Sequence, residues 1–558
     1  MKKVLALIMA MALLLSLVGC GARTTVTIDS NKTTLTVGVW NGGPEDDWLQ
    51  AAIQKFEEKY ADVSFEEGKK GVQVIIGSCN KTTMEGETLK NLILTADNKD
   101  EVFFTEGVFY QYWASTGRML DITQYVNEKL TEFGEDKSIA DKMDASLKEA
   151  MTMDGKMYAI PYWQGQYCMV YNATLFDEEG WYYDANGNFT DAKGTLGTGP
   201  DGKTGTYDDG LPRTYDEFFR LLDRINQDNA TPIQWPGASQ DYMSWLMAEL
   251  AADYIGAEEF NLNYTFDGTA TLVKNGTFNW DTLAYETEEV AINRNNAYEL
   301  ARQPGLAMAS AFVERLVQNT SYYDINNCLS GSFKITQSQL EFVRNPTVSA
   351  KKNVAIMVDG NWWEAEATAS FKETYGTNAT KYDSEMDYKY MPFPKATEAE
   401  VGKQMTMVGS PLDSYCFIKS NIDPAKIELA TTFLQFVHTD AQMAEFTEMT
   451  GLPKPYTYDY DESKLTSFGA SMMNAMQAST IVWPMDDNEL YRYAPSDFRL
   501  VKWMRCKYAA DKDASDCISD VLTALNNGEY LYSAEDYFKG IYNFRKTTQW
   551  EQYDSILG

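Results

Sequence analysis

Histidine is almost missing from this chain of 558 residues: His438 stands alone. A Ser-His-Asp or Cys-His nucleophile would have to be built on that one residue, and imidazole-based metal catalysis lacks its ligands. No G-x-S-x-G turn and no phosphate-cradling P-loop occurs, so acyl transfer and nucleotide hydrolysis have no foothold. Basic residues are also in short supply, 48 against 81 acidic ones, and the formal charge of −33 disfavours nucleic acid and anionic membrane surfaces as partners. Cysteine is sparse and scattered. Beyond Cys20 there are Cys79, Cys168, Cys328, Cys416, Cys506 and Cys517, with no C-x-x-C, which indicates neither a zinc site nor a disulfide scaffold. Cys506 and Cys517 could bridge in an oxidising exterior or stay as buried thiols. No internal repeat is visible, and past the N-terminus no apolar run reaches transmembrane length. Paired-carboxylate chemistry stays open, because glycosidase geometry does not show in sequence.

What is present begins with an address. Lys2 and Lys3 precede an almost wholly apolar run over residues 4–18, too short to span a bilayer and closed by Leu17-Val18-Gly19-Cys20. The tetrad resembles the bacterial lipobox, which implies a signal peptide over 1–19 and a lipidated Cys20. Residues 20–33, polar and Thr-rich, read as a flexible tether. Apolar content of 44% rules out general disorder, and the length calls for two lobes rather than one core.

Strand-like and helix-like segments alternate, as an α/β fold requires. Strands are expected at 35–40 (LTVGVW), 72–76 and 101–105. Trp48, Ala52, Ile53, Phe56 and Tyr60 share one helical face. Thr214-Tyr215-Asp216-Glu217 is a capping box ahead of Phe218, Leu221, Leu222 and Ile225. Asp423 and Pro424 open a third helix, at whose C-terminus His438 would sit as an imidazolium.

Several blocks then resemble, in order, the family 1 extracellular solute-binding proteins of the maltose and multiple-sugar type. They are residues 48–76, 158–176 (YAIPYWQGQYCMVYNATLF), 354–363 (VAIMVDGNWW, similar to A-M-x-x-x-G-x-W), 389–395, 414–439 and the turn Thr450-Gly451-Leu452-Pro453. The resemblance implies a two-lobed, type II periplasmic-binding-protein-like fold, each lobe a mixed sheet flanked by helices. Lobe 1 would comprise 34–165 with 405–455, and lobe 2 would comprise 166–404 with 456–558. Crossings would fall near 164–166, 402–410 and 453–464. Insertions at about 184–212 and 259–344 exceed the usual family length.

The resemblance further implies an extracytoplasmic lipoprotein, anchored to the cell membrane by its lipid alone, that captures an oligosaccharide in an interlobe cleft and passes it to the permease subunits of an ABC importer without catalysis. An oligopeptide-binding lipoprotein or a surface glycosidase is the alternative. Sugars offer apolar faces and hydroxyl edges, so flat aromatics with fixed polar groups are the expected contacts. Trp40 and Asn41 end the first strand, where open α/β sheets bind ligands. Trp163 and Gln164 lie at the first crossing. Trp362 falls on the family's G-x-W position and Trp363 adds a ring. Glu106 follows the third strand, and Asp413 and Tyr415 flank a late one. The Gly-, Asn- and Asp-rich first insertion offers two oxygen-ligand sets for a structural calcium, Asp184, Asn186 and Asn188, or Asp201, Asp208 and Asp209. It resembles the calcium loop of alginate-oligosaccharide-binding proteins.

Overall fold

The computed structural model describes residues 27–79, 99–107, 110–239, 241–344, 352–409, 414–483 and 533–551. Residues 1–26, with Cys20, and Asp413, Cys506 and Cys517 lie outside the described residues. In chain order the strands are β1 (Thr33–Val39), β2 (Val72–Cys79), β3 (Val102–Thr105), β4 (Ala159–Pro161), β5 (Tyr167–Asn172), β6 (Tyr182–Tyr183), β7 (Phe189–Thr190) and β8 (Thr231–Gln234). They continue with β9 (Gly268–Asn279), β10 (Ala284–Ile292), β11 (Val354–Gly360), β12 (Tyr388–Met391), β13 (Thr406–Val408), β14 (Tyr415–Ile418) and β15 (Thr480–Val482).

The first lobe is built on a sheet ordered β2-β1-β3-β14-β4, in which β1 runs parallel to β2 and β3 while β14 runs antiparallel to β3 and β4. β3 and β14 are buried along their whole length, as strands covered on both faces must be, and this is why they read as unbroken apolar runs. The helix Asp47–Lys59 buries Trp48, Leu49, Ala52 and Phe56, while Ile53 lies at its margin. Phe56 meets Phe433 at 5.0 Å and Phe436 at 5.3 Å, so the helix Ile427–Phe436 packs beside it. That helix is entered through a short 3₁₀ turn, Pro424–Lys426, in which the Asp423 carboxylate accepts the Ala425 N–H.

The second lobe holds a sheet ordered β12-β5-β11-β8. β11 is buried throughout, antiparallel to β5 and parallel to β8. Thr214 caps the helix Tyr215–Gln227 by accepting the Glu217 N–H, but only half of the expected box forms. Glu217 turns instead to Arg213, accepting its N–H at 2.8 Å and its guanidinium at 2.7 Å, because the cation is the stronger partner. The helix Asp241–Ile255 is buried almost all round. The helix Pro304–Gln318, from the 259–344 insertion, lies so close to it that a Cβ at Gly305 would stand 2.5 Å from the Ala251 carbonyl oxygen. The rest of this insertion includes the β9–β10 hairpin, and the C-terminal helix Ala534–Phe544 docks there through Tyr542 and Glu299.

The chain leaves the first sheet at β4 and enters the second at β5, so residues 162–166 are a crossing. It returns between β13 and β14. β13 pairs in parallel with β15, and the Val408 N–H reaches Glu249 of the helix Asp241–Ile255, so residues 406–408 sit on the second lobe's side of that return. A third passage follows Gly451 and ends at the helix Ser467–Ala478, which bonds β12 through Ser471 and Tyr390. Among the described residues no helix is long and apolar enough to cross a membrane. Cys168, Cys328 and Cys416 are free, buried thiols, and burial pushes their ionisation upward.

The expected imidazolium at His438 is not there. The ring is fully buried, its Nδ1 lies 2.7 Å from the Leu434 carbonyl oxygen, and burial together with Lys454 and Lys142 pushes its pKa down to about 3. It is a neutral imidazole that donates through Nδ1. The helix-terminus argument fails because desolvation in this apolar pocket outweighs a terminal dipole effect of about 1 kcal/mol.

Candidate binding site

Three indoles from distant parts of the chain meet where the lobes face one another. Trp40 follows β1, with its N–H held by the Phe104 carbonyl, and the chain then turns through Asn41, Gly42 and Gly43. Gly43 has φ +52, and a Cβ there would lie 3.0 Å from the Trp163 ring and 3.4 Å from that of Trp40. Only glycine meets both demands without strain. Trp163, on the first crossing, is fully buried, and its Nε1 donates to Glu106 at 3.1 Å. Its ring stands edge-to-face on Trp362 at 6.0 Å. Trp362 in turn lies over Gly360, where a Cβ would come within 2.3 Å of its ring, and it makes edge contacts with Tyr167 at 5.0 Å and Tyr242 at 6.4 Å. Tyr167 stacks on Trp245 at 5.5 Å.

Polar groups knit this aromatic group together. The Gly43 N–H donates across the lobes to Glu366 at 3.3 Å. Gln339 donates to Asp359 at 3.3 Å and to Glu366 at 3.4 Å. Asn361 braces the crossing, donating its N–H to the Gln166 carbonyl and its side-chain amide to the Gln164 carbonyl, while its Oδ1 accepts the Gln166 N–H. Asn41 Oδ1, Gln164 Nε2 and Gln339 Oε1 are buried and, among the described residues, have no hydrogen-bond partner. Each such orphan costs about 1–3 kcal/mol. Sugar hydroxyls, which both donate and accept, can satisfy an orphaned acceptor oxygen and an orphaned donor nitrogen alike.

The crossing is anchored from behind by Lys454. Its ammonium nitrogen is fully buried, donates to the Tyr162 carbonyl at 2.6 Å and lies 5.2 Å and 4.5 Å from the ring centroids of Trp48 and Phe446. Burial pushes its pKa down to about 7.

Of the residues singled out in the sequence, Trp40, Asn41, Trp163, Gln164 and Trp362 come together here. Glu106 is buried beneath them, accepting from Trp163 and from the Ser414 hydroxyl at 3.0 Å. Trp363 does not join them. Its ring packs among Phe342, Tyr388, Phe371 and Phe468 in the second lobe's core, because residues side by side at a helix start point apart. Tyr415 packs on Tyr110 at 5.6 Å within the first lobe. Asn361, Tyr167, Tyr242, Trp245, Gln339 and Glu366 were not foreseen. The first two stand inside the quoted blocks, whereas the others come from elements whose approach only the fold determines.

In the acidic insertion, Asp184 Oδ1 accepts the N–H groups of Asn186 and Asn188, which close the β6–β7 turn and hold its carboxyl below the usual range. Asp208 is buried, accepts from the Asp201 N–H and the Thr206 hydroxyl, and is pushed up to about 6 by burial. Asp209 accepts from the Gly205 N–H at 2.7 Å, and Asp201 from the Lys203 N–H, also at 2.7 Å. These carboxylates serve the loop's own donors. Among the described residues no group of three or more His, Cys, Asp or Glu side chains is placed to hold a metal ion.

Two α/β lobes joined by crossing segments, with aromatic rings gathered between them, define the architecture of two-lobed solute-binding proteins. Residues 51–472 match the family model of the bacterial extracellular solute-binding proteins, and the chain belongs to that family. It is 29% identical over 148 residues to the diacetylchitobiose binding protein DasA of Streptomyces coelicolor, a match that takes in 26% of this chain and 29% of that relative's length. Among solved structures it is similar to a chitin oligosaccharide binding protein (TM-score 0.55, 16% identity, 94% of this chain and 100% of that one). RafE in complex with raffinose gives 0.54, with 13% identity over 92% of this chain and 100% of that one. Maltose-bound MalE3 of T. maritima gives 0.54, with 12% identity over 93% and 100%. At these identities the likeness concerns the fold.

Proposed function

We propose that this protein captures an oligosaccharide between its lobes, is held at the outer face of the cell membrane through lipid on Cys20, and delivers the sugar to the permease of an ABC importer, with no catalysis of its own. The observation that carries this reading is three buried amide atoms, Asn41 Oδ1, Gln164 Nε2 and Gln339 Oε1, that have no partner among the described residues, in a site that also gathers Trp40, Trp163 and Trp362. A ligand offering both apolar faces and hydroxyls would satisfy them. Family membership supports solute capture, and the relatives named for diacetylchitobiose, raffinose and maltose support a sugar as the solute.

The test is a thermal-shift screen of the chain from residue 34 with diacetylchitobiose, raffinose, maltose, acidic oligosaccharides and short peptides. A binder at a hundredfold excess over its dissociation constant adds about 2.7 kcal/mol of stability. A shift with a sugar that Trp362→Ala removes supports capture, and a shift with peptides alone replaces the sugar. Sustained product release from the same sugars by purified protein would overturn the absence of catalysis. Retention of the protein on cells, lost in Cys20→Ala, tests the anchor. A structural calcium in the acidic insertion remains part of the proposal, and a fall in melting temperature on chelation would support it.

A further inference from the structure

Two buried glutamates, one in each lobe, make the same connection. Glu106 Oε1, beyond the end of β3, accepts from Trp163 of the outgoing crossing at 3.1 Å and from Ser414, just before β14 on the return, at 3.0 Å. Glu249, on the helix Asp241–Ile255, accepts from the Gln166 side chain at 2.6 Å and from the Val408 N–H at 2.9 Å. One helical turn further on, Asp253 repeats the grip. It accepts the Thr406 N–H at 3.2 Å and pairs with Lys395 at 2.7 Å, both side chains being almost fully buried. Glu249 has no side-chain exposure; burial, with Asp253 nearby, pushes its ionisation well above the usual carboxylate range, and hydrogen bonds shielded from water are the stronger for it.

We propose that Glu106 and Glu249 are positioning residues that clamp the outgoing and returning crossings together in each lobe, leaving Gln164 and Gly165 as the bending point of the outgoing crossing. On the outgoing crossing only Gln164 and Gly165 lie between Trp163 and Gln166. On the return, Gly409 is tied to β15 through the Val482 carbonyl. Gly165 is the pivot: hinges need a few residues able to absorb a large backbone change, and glycine has the widest range. Its place is not dictated by crowding, since a Cβ there would meet Trp163 at 3.4 Å and Trp362 at 3.5 Å, ordinary contact distances. Alanine fits this closed arrangement and narrows the backbone's freedom to leave it.

The inference rests on the capture reading only in supposing that the lobes open and close, and its test needs no ligand. Amide hydrogen exchange is followed in the full mature protein, without sugar, for wild type, Glu249→Ala, Glu249→Gln and Gly165→Ala. Glu249→Ala speeds exchange at Val408, whose N–H Glu249 holds, by about tenfold while the β5–β11 ladder keeps its protection. A merely structural loss would speed the whole lobe. Glu249→Gln stays within about threefold of wild type, because Gln166 Oε1 is buried without a partner and its amide can turn to accept from the new donor. Gly165→Ala slows exchange at Gln164 to Gln166 by about threefold. Unchanged exchange at Val408 in Glu249→Ala, or acceleration spread evenly over the lobe, overturns the clamp. If Glu249→Ala does not fold, Gly165→Ala and Glu249→Gln decide: slower exchange with tolerance of Gln supports the clamp, and unchanged exchange at the crossing refutes it. A protein with this exchange pattern that binds no sugar keeps the hinge and loses the sugar, whereas one that binds sugar without the pattern does the reverse.

Discussion

His438 should make this protein acid-sensitive in a way that can be isolated from every other group. In the unfolded chain its imidazole takes up a proton near 6.5, but in the folded protein, buried beside Lys454 and Lys142, it refuses one until about 3. Below 6.5 the unfolded state therefore binds more protons, and stability falls as the pH drops toward 3. Evaluated at about pH 5, the loss relative to about pH 7.5 is about 2 kcal/mol, and it is nearly the same for any folded value below about 4. Carboxylates titrate in the same range, so the informative quantity is the difference between wild type and His438→Gln, whose amide can still donate to the Leu434 carbonyl. Urea unfolding of both proteins at the two pH values gives it directly. The variant should gain about 2 kcal/mol on wild type between about pH 7.5 and about pH 5. A difference that does not change with pH would refute the buried neutral imidazole. The chain's single histidine is what makes the subtraction clean.

Other perturbations follow the same logic. Lys454, whose folded pKa is about 7 against 10.5 unfolded, keeps a buried charge below neutrality and loses it as pH rises, so wild-type stability climbs by about 2 kcal/mol between about pH 7 and 9. Lys454→Met should abolish that climb in the same urea series. Gly43→Ala forces a side chain onto φ +52 and against Trp163, and should cost about 1–3 kcal/mol in unfolding free energy while weakening sugar binding in calorimetry. Thr214→Ala removes the cap of the helix Tyr215–Gln227 and should cost about 1 kcal/mol with ligand affinity unchanged.

Much of the fold was legible because its signals are local. β1 and the helix Asp47–Lys59 declare themselves by period, and Thr214 and Asp423 by capping chemistry, while the order of the family blocks supplies the two lobes. The aromatic group was legible only in part. Trp40, Trp163 and Trp362 sit at strand ends or on a crossing, positions that sequence order reveals, whereas Tyr242 and Trp245 belong to a helix that reads as plain core. Glu249 and Asp253 were the missed signal in that helix: two acids one turn apart in an otherwise apolar run must be buried with partners. The charge state of His438 was misjudged because a neighbouring lysine 16 positions along the chain, and the depth of the pocket, are products of folding.

Trp362 and Trp363 are neighbours in sequence that face opposite ways, one ring toward the gathered indoles and the other locked among Phe342, Tyr388, Phe371 and Phe468. If Trp362 meets a ligand, as proposed, that ring is held by a root sunk in the hydrophobic interior and is set when the second lobe folds. Little of the ordering entropy of that contact is left for binding to overcome. Variation in the lobe's interior around Trp363 would then alter ligand affinity without touching the ligand, and selection on binding and selection on folding would act on the same few side chains.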